Sequence, residues 1–493
     1  MSWSLTALRL HLRDLRKSRG PFRCEASAQA ETARLLKLLP QGTLERTVFE
    51  LAEVQHVSYK AIAARLGISE RHLYRVRRAM LERLCAGEAH IQSCSIVPAA
   101  MQRLEAARDL RKYGHAQRCV DVTSEILSQG CPPEHTVRTL TLRAMALSEL
   151  ARTGDAQRAL EEAHRCAHGA DPAQRETMKR MLGMTAAYMP YHDGFSDRAI
   201  SLTDHTLRGA TASSSEPFER RELIRDFIFA GIQHQEAGSP LRALDFLQRA
   251  LALSNQLPMQ PAAEVAQIYI HSAFARSSLA NQSAQAREDA LAALQIAQWH
   301  HLIFEEIWAK LVLGVLCDIA AKPQEGLPYV RDAAQTAESA LDGDPLIRTL
   351  FLTARVEGAA GNIPAALRRI ESAKPLAKTH GLLAAIVHVA AARAERQQGN
   401  ASRTIMASTR AIHGIEGRAL THYLGIPYLA RALARHRLGD VPADDVERAT
   451  YYLQRGGSLA DQADAMNLSY QLTRNRRQLD LALQLRNAAQ NIA

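Results

Sequence analysis

A chain of 493 residues, 47% of them hydrophobic, is too long for one compact core and too apolar to stay unfolded, so several domains or one extended array are expected. Aromatic residues make up only 5%, while Ala, Leu, Arg and Gln are abundant, which argues against a β-rich fold and for an all-α one. The net charge is +10, and residues 1–90 hold 16 Lys+Arg against 9 Asp+Glu, so a basic head sits on a nearly neutral body and calls for an anionic partner, nucleic acid or an acidic membrane surface.

The first residues, MSWSLTALRLHLRDLRKSRG, place Leu5, Leu8, Leu12 and Leu15 at helical spacing. Arg9, Arg13, Arg16 and Lys17 interrupt any apolar stretch, so this is not a secretory signal. It reads as an amphipathic helical arm over 1–38, packing on the head or on a second subunit. Nowhere does an apolar run approach the roughly 20 residues that cross a bilayer. The seven cysteines are odd in number and form no C-x-x-C pair, which suits reduced thiols in a cytoplasm. Cys85 and Cys94 flank an expected linker.

Pro40-Gln41-Gly42 breaks the chain, and TLERTVFELAEV then places Leu44, Val48, Leu51 and Ala52 on one helical face, with Thr43 as N-cap. In SYKAIAARLGISERHLYRVRRAMLERL, Ser58 caps a second helix, Gly67 ends it, and Ser69 caps a third. Ile62, Ala63 and Leu66 share one face of the second helix, and Leu73, Val76 and Met80 share one face of the third. Ala63 is small where two helices cross closely, and Gly67 needs no Cβ in the turn. These spacings predict a helix-turn-helix over 39–90.

This stretch resembles the helix-turn-helix of sigma-factor region 4 and of related bacterial regulators, over about 45 residues, although those regulators usually carry the module at the C-terminus. On the third helix Arg71, Arg75 and Arg78 form a stripe opposite the apolar face. The resemblance implies that Ser69, Arg71, His72 and Arg75 meet double-stranded DNA, with Arg71, His72 and Arg75 at base edges. It implies phosphate contacts for Arg78, Lys60 and Tyr59. One recognition helix covers a half-site, so a homodimer is expected. A solvated basic face on a protein-binding bundle is the competing reading.

From about 97 to 455 the chain repeats. Gly238, Ala243 and Ala250 set the pattern, and Gly361, Ala366 and Ala373 repeat it, as do Asn281, Ala286 and Ala293. Partial copies carry Gly154 with Ala159, Gly194 with Ala199, and Gly399 with Ala411, while Gly114, Gly439 and Lys322 with Ala334 start weaker ones. The anchors fall 38 to 44 residues apart along the chain. That interval describes stacked helical hairpins, with Gly at the turn and Ala where helices cross. It resembles the tetratricopeptide repeat, and the resemblance implies a TPR-like α-solenoid with a concave inner surface. RGATASSSEP, 208–217, reads as an exposed loop. Residues 456–493 read as capping helices.

No phosphate loop, nucleophile elbow or paired-carboxylate motif is present, so neither an enzyme nor a cofactor is expected. WHHLIFEEIW, 299–308, is the one local oddity: His301 and Glu305 one helical turn apart suit a metal only with a third ligand, and otherwise read as surface groups beside core aromatics. The leading expectation is a transcriptional regulator whose array senses a peptide, protein or small-molecule effector. The alternatives are a TPR-type interaction scaffold and a sigma-like accessory to RNA polymerase.

Overall fold

The computed structural model describes residues 44–54, 59–66, 73, 80 and 99–491, apart from 170–173, 195, 211–216, 258–259, 280–281, 378–380, 417–422 and 455–458. The chain separates into two compact units, Met1–Ala99 and Ala100–Ala493. All regular structure among the described residues is helical.

In the first unit α1 (Leu44–Phe49) runs into a π-helical turn, Glu50–Val54, and α2 (Tyr59–Leu66) follows. Val48, Phe49, Leu51 and Ala52 are buried along the first of these. Arg46 Nε reaches Glu50 Oε1 at 2.9 Å, one turn on. On α2 Ile62 and Ala63 are buried while Ala64 and Arg65 are exposed, which is the one-sided burial expected of an amphipathic helix. Leu73 and Met80 are helical and buried at 1% and 0% exposure.

Among the described residues the second unit is a stack of ten hairpins. The first six are α3 (Ala99–Lys112) with α4 (Ala116–Ser128), α5 (Pro133–Glu149) with α6 (Thr153–His168), α7 (Arg175–His192) with α8 (Ser196–Leu207), α9 (Pro217–Glu236) with α10 (Pro240–Ser254), α11 (Ala262–Ser277) with α12 (Ser283–His300), and α13 (Ile303–Ile319) with α14 (Pro323–Ala340). The last four are α15 (Gly343–Ala359) with α16 (Ile363–Ala377), α17 (Gly381–Gln398) with α18 (Ala401–Ile415), α19 (Gly425–Arg437) with α20 (Ala443–Leu453), and α21 (Leu459–Thr473) with α22 (Arg476–Asn491). Loop 208–217 falls between α8 and α9, mostly outside the described residues.

Two features of the sequence build each hairpin. The first is the turn. Gly238 has φ +75°, its N–H donates to Gln235 O at 3.1 Å, and the next N–H, of Ser239, donates back to His234 O at 2.8 Å. This closes the helix and reverses the chain. The same pair of bonds recurs at Gly361 and Gly399. Where the expected anchors were Gly154 and Lys322, the left-handed residues are instead Ala151 (φ 55°) and Ala321 (φ 59°), and Gly154 lies inside α6. The Ala151 turn makes the same bonds, Arg152 N–H to Leu147 O at 2.9 Å and Ala151 N–H to Ser148 O at 2.8 Å. A left-handed alanine costs on the order of 1–2 kcal/mol, which these bonds and the hairpin packing absorb. Arg474 (φ 58°) turns the tenth hairpin likewise.

The second feature is the small residue at each crossing. Ala159, Ala199, Ala243, Ala250, Ala286, Ala293, Ala334, Ala366, Ala373 and Ala411 are all 5% exposed or less. A side chain that ends at Cβ lets the two helix backbones approach, and nothing larger fits without displacing one of them. Gly314 on α13 takes this furthest, since a Cβ there would lie 2.3 Å from Val330 Cγ1 of α14. Successive odd-numbered helices pack against one another and form the inner layer, with their even-numbered partners outside.

Candidate functional site

The inner layer encloses a groove of about 710 Å³, walled by α3, α5, α7, α9, α11, α13 and α15. Its defining feature is the placement of α3. As the first helix of the stack it neighbours the second hairpin, yet its polar side chains reach the fourth and sixth hairpins. Arg225 Nη2 on α9 meets Glu105 Oε2 at 2.8 Å, and Arg108 Nη1 meets Glu222 Oε1 at 3.0 Å. Lys112 Nζ pairs with Glu305 on α13, whose side chain is 1% exposed. Beyond the helix, Tyr113 O accepts from Asp342 N–H at 2.9 Å, and the Tyr113 and Phe304 rings lie 5.8 Å apart. The superhelix thus returns on itself, and α3 with its following turn bridges the groove.

Gly114 makes that bridge possible. Its φ is +88°, and a Cβ built on it would stand 1.9 Å from Asp342 O. Both the conformation and the close approach require glycine here.

The charges along the groove are joined into a series of ion-pair clusters. Glu264 of α11, buried, takes Arg221 Nε at 2.7 Å and Arg225 Nε at 2.8 Å. Glu149 takes Arg111 at 2.7 Å and the hydroxyl of Tyr188. Glu236 takes the Tyr191 hydroxyl at 2.8 Å and Arg348 Nη1 at 2.8 Å, while Arg348 Nε also holds Asp344 at 2.7 Å. Further along, Asp318 binds Arg355 at 2.8 Å and Arg393 at 3.2 Å. Removing one member of such a buried pair strands the other, at a cost of about 3–5 kcal/mol.

These clusters set the protonation states. Burial alone would raise the Glu105 carboxyl, but Arg108 and Arg225 outweigh it and hold the pKa at about 2. Glu222 and Glu264 are also lowered, for the same reason: their guanidinium neighbours overcome burial. Asp226 goes the other way, to about 6, because burial exceeds the attraction of Arg180 2.7 Å away. His271 is lowered to about 4 by burial and then by Arg348, so the imidazole is neutral.

Between the ionic groups the wall is apolar and aromatic. Tyr188, Phe229, Phe274, Phe304, Trp308 and Phe351 all line it. The Tyr191 and Phe229 rings meet edge to face at 5.3 Å. Phe304 and Trp308 stand 6.1 Å apart, with Lys112 Nζ 4.9 Å over the Phe304 ring. Such rings supply contact area at little conformational cost.

Of the residues singled out for DNA contact, Ser69, Arg71, His72, Arg75 and Arg78 lie outside the described residues. Tyr59 and Lys60 open α2. The expectation for 299–308 needs correction. His301 is not on the same helix as Glu305: it is a left-handed residue, φ 54°, in the turn between α12 and α13. Glu305 is not a surface group either, because Lys112 and the amide of Gln267, at 2.8 Å, draw it inside. No cluster of three or more His, Cys, Asp or Glu suited to a metal occurs among the described residues. Cys119, Cys131, Cys166 and Cys317 are free thiols. No described helix is long and apolar enough to cross a membrane.

Sequence reasoning located the array and its concave surface but not the residues that line the groove. The groove's charged residues stand at helical spacings that also describe a solvated face. Packing of neighbouring hairpins pairs some of them, as Arg221 with Glu264, and the return of α3, across 114 to 120 residues, pairs Glu105 and Arg108 with α9.

Comparison with known proteins agrees with this architecture. No family model matches the chain, and no curated protein does. Among solved structures the chain is similar to a Rap protein complexed with competence and sporulation factor, with TM-score 0.52 and 12% identity over 76% of this chain and 99% of that one. Weaker similarities reach aspartyl phosphate phosphatase F from Bacillus subtilis, with TM-score 0.45 and 11% identity over 73% and 97%, and a signal transduction ATPase with a tetratricopeptide repeat sensor from Pyrococcus horikoshii, with TM-score 0.37 and 14% identity over 76% and 55%. The first of these establishes the fold: Ala100–Ala493 is a TPR-like helical repeat solenoid.

Proposed function

We propose that the array is a binding element that takes a peptide or protein segment into its bridged groove, and that the chain works as an interaction module rather than an enzyme. The observation that carries this reading is the groove itself, about 710 Å³ of aromatic and paired-ionic wall closed over by α3. That volume lies inside the roughly 300–1,000 Å³ span of sites that hold small ligands. The similar Rap protein was solved as a complex with a factor, which supports treating such an array as a binding surface. The test is native mass spectrometry of the full chain purified from its own cells, followed by displacement of whatever copurifies. A bound peptide released by Glu264→Gln with Arg225→Gln supports the reading. A partner that remains bound to this variant, and to one with Trp308→Ala, refutes it.

A second reading adds a job for the first unit. The excess of basic residues in 1–90, and the helix-turn-helix spacing around Gly67, favour double-stranded DNA as its partner. On this reading the protein is a cytoplasmic, homodimeric transcriptional regulator whose array senses an effector. Arg71→Ala with Arg75→Ala then abolishes sequence-selective binding in a gel shift, and wild-type binding weakens steeply with salt. A double mutant that protects the same DNA as wild type ends this reading and leaves the interaction module standing.

A further inference from the structure

The groove carries information about what it holds, provided that it is a binding site as proposed above. Eight Arg or Lys and eight Asp or Glu line it, so the lining has no net formal charge. Nearly all of these are held in ion pairs, either with one another, as on Glu149, Glu222, Glu236 and Glu264, or with residues just outside the lining, as Arg225 with Glu105, Lys112 with Glu305 and Arg355 with Asp318. The two lining charges with no hydrogen bond or ion pair among the described residues, Asp109 and Arg118, are both exposed. A charged group entering the middle of the groove would leave water and find each neighbouring counter-ion already engaged.

Apart from Arg111 Nε, buried with no partner on a guanidinium already paired with Glu149, the unengaged groups are uncharged. Gln235 Oε1 can only accept, so the 3.3 Å contact with His271 places the imidazole proton on Nδ1 and leaves Nε2 as a bare acceptor. Burial keeps that ring neutral, with a pKa of about 4. Gln267 donates its amide to Glu305 at 2.8 Å, which leaves its oxygen available, while the amide group of Gln235 remains as a donor. Gln267 and His271 are one turn apart on α11 and face the groove together. The indole N–H of Trp308 is buried with no partner. Donors and acceptors of this kind, set among Phe274, Phe304 and Trp308, match a peptide backbone with apolar side chains.

We infer that the groove takes a short peptide whose central residues are uncharged and apolar, with its backbone amides met by Gln235, Gln267 and His271. Folded domains are excluded by the bridge of α3 and by the volume. Acidic and basic centres are excluded because nearly every lining charge is already paired.

The experiment uses the full chain and a random library of N-acetylated, C-amidated pentapeptides, with bound members identified by affinity selection and mass spectrometry. Asp, Glu, Lys and Arg should be depleted about tenfold or more at the three central positions relative to the input. Gln267→Leu with His271→Phe, a pair of near-isosteric changes, should erase the selection while circular dichroism remains that of the wild type. A bound pool with charged centres that still responds to this double variant overturns the inference and leaves the groove as a peptide site. Absence of selection for any pentapeptide overturns both. Selection that survives the double variant overturns the assignment of these side chains.

Discussion

Gly114→Ala separates the closure of the superhelix from ordinary turn chemistry, because the protein supplies its own control. Gly114 and Gly439 have similar backbones, φ +88° and +93°, at equivalent hairpin turns. At Gly439 an added Cβ meets nothing within 4 Å, so Gly439→Ala loses only conformational preference, about 1–2 kcal/mol. At Gly114 the same methyl lies 1.9 Å from Asp342 O and 2.5 Å from its carbonyl carbon, both backbone atoms. They cannot rotate away, so the Tyr113–Asp342 junction must part. That gives up its hydrogen bond, about 1 kcal/mol. It also loosens the Lys112–Glu305 pair, and stranding a carboxylate that is 1% exposed costs about 3–5 kcal/mol if the pair is lost entirely. Gly114→Ala should therefore exceed Gly439→Ala by about 1 to 6 kcal/mol in urea unfolding. Native-state hydrogen exchange should speed up over 99–115 and 340–346 in the first variant alone. Equal destabilisation of the two variants, within about 0.5 kcal/mol, would refute the bridging role of α3.

Other perturbations test the groove and the stack. Because the folded pKa of His271 is about 4 and the unfolded value is 6.5, the unfolded chain binds the extra proton, so stability present above pH 6.5 is lost as the pH falls towards 4. The limit is on the order of 3 kcal/mol, and His271→Phe should remove this loss, leaving the opposite trend of Asp226, whose raised pKa of about 6 adds stability as the pH falls, in the midpoint of urea unfolding. Glu105 acts in a lower window: its folded pKa of about 2 lies below the unfolded 4.5, so its contribution is present above pH 4.5 and disappears towards pH 2. Glu105→Gln should reduce that acid limb of the stability curve, to which the lowered Glu222 and Glu264 also contribute, while leaving the His271 contribution between pH 6.5 and 4.5 in place. Ala243→Leu, at a residue with 0% exposure in the α9–α10 crossing, should cost about 1–3 kcal/mol by thermal or urea unfolding, whereas Leu241→Ala, 69% exposed two residues away, should stay within about 0.5 kcal/mol.

What could be read from the sequence divides along physical lines. Ala243, Ala286 and Ala366 were legible because backbone approach admits only a small residue, and that demand is repeated at every crossing. The turns were legible where glycine makes them and shifted where it does not. Ala151 and Ala321 adopt a left-handed conformation at a modest cost, so nothing in their identity announces the reversal. Thus Gly154 drew attention three residues too late. Glu305 shows the deeper limit. In sequence it stands beside Glu306 on a helix and reads as surface, since an unpaired acid should be wet. Its partner, Lys112, lies 193 residues away and arrives only because the stack curves enough to bring α3 back. Local pattern fixes each hairpin, while the curvature is a sum of small rotations over six of them. A binding groove made by that sum has no motif of its own. Its charged residues look solvated, its aromatics look like core, and its neutral hydrogen-bonding groups look incidental. They become a site only when the first helix closes on the sixth hairpin, which is why a methyl group at residue 114 should reach a groove whose polar centre is Gln267 and His271.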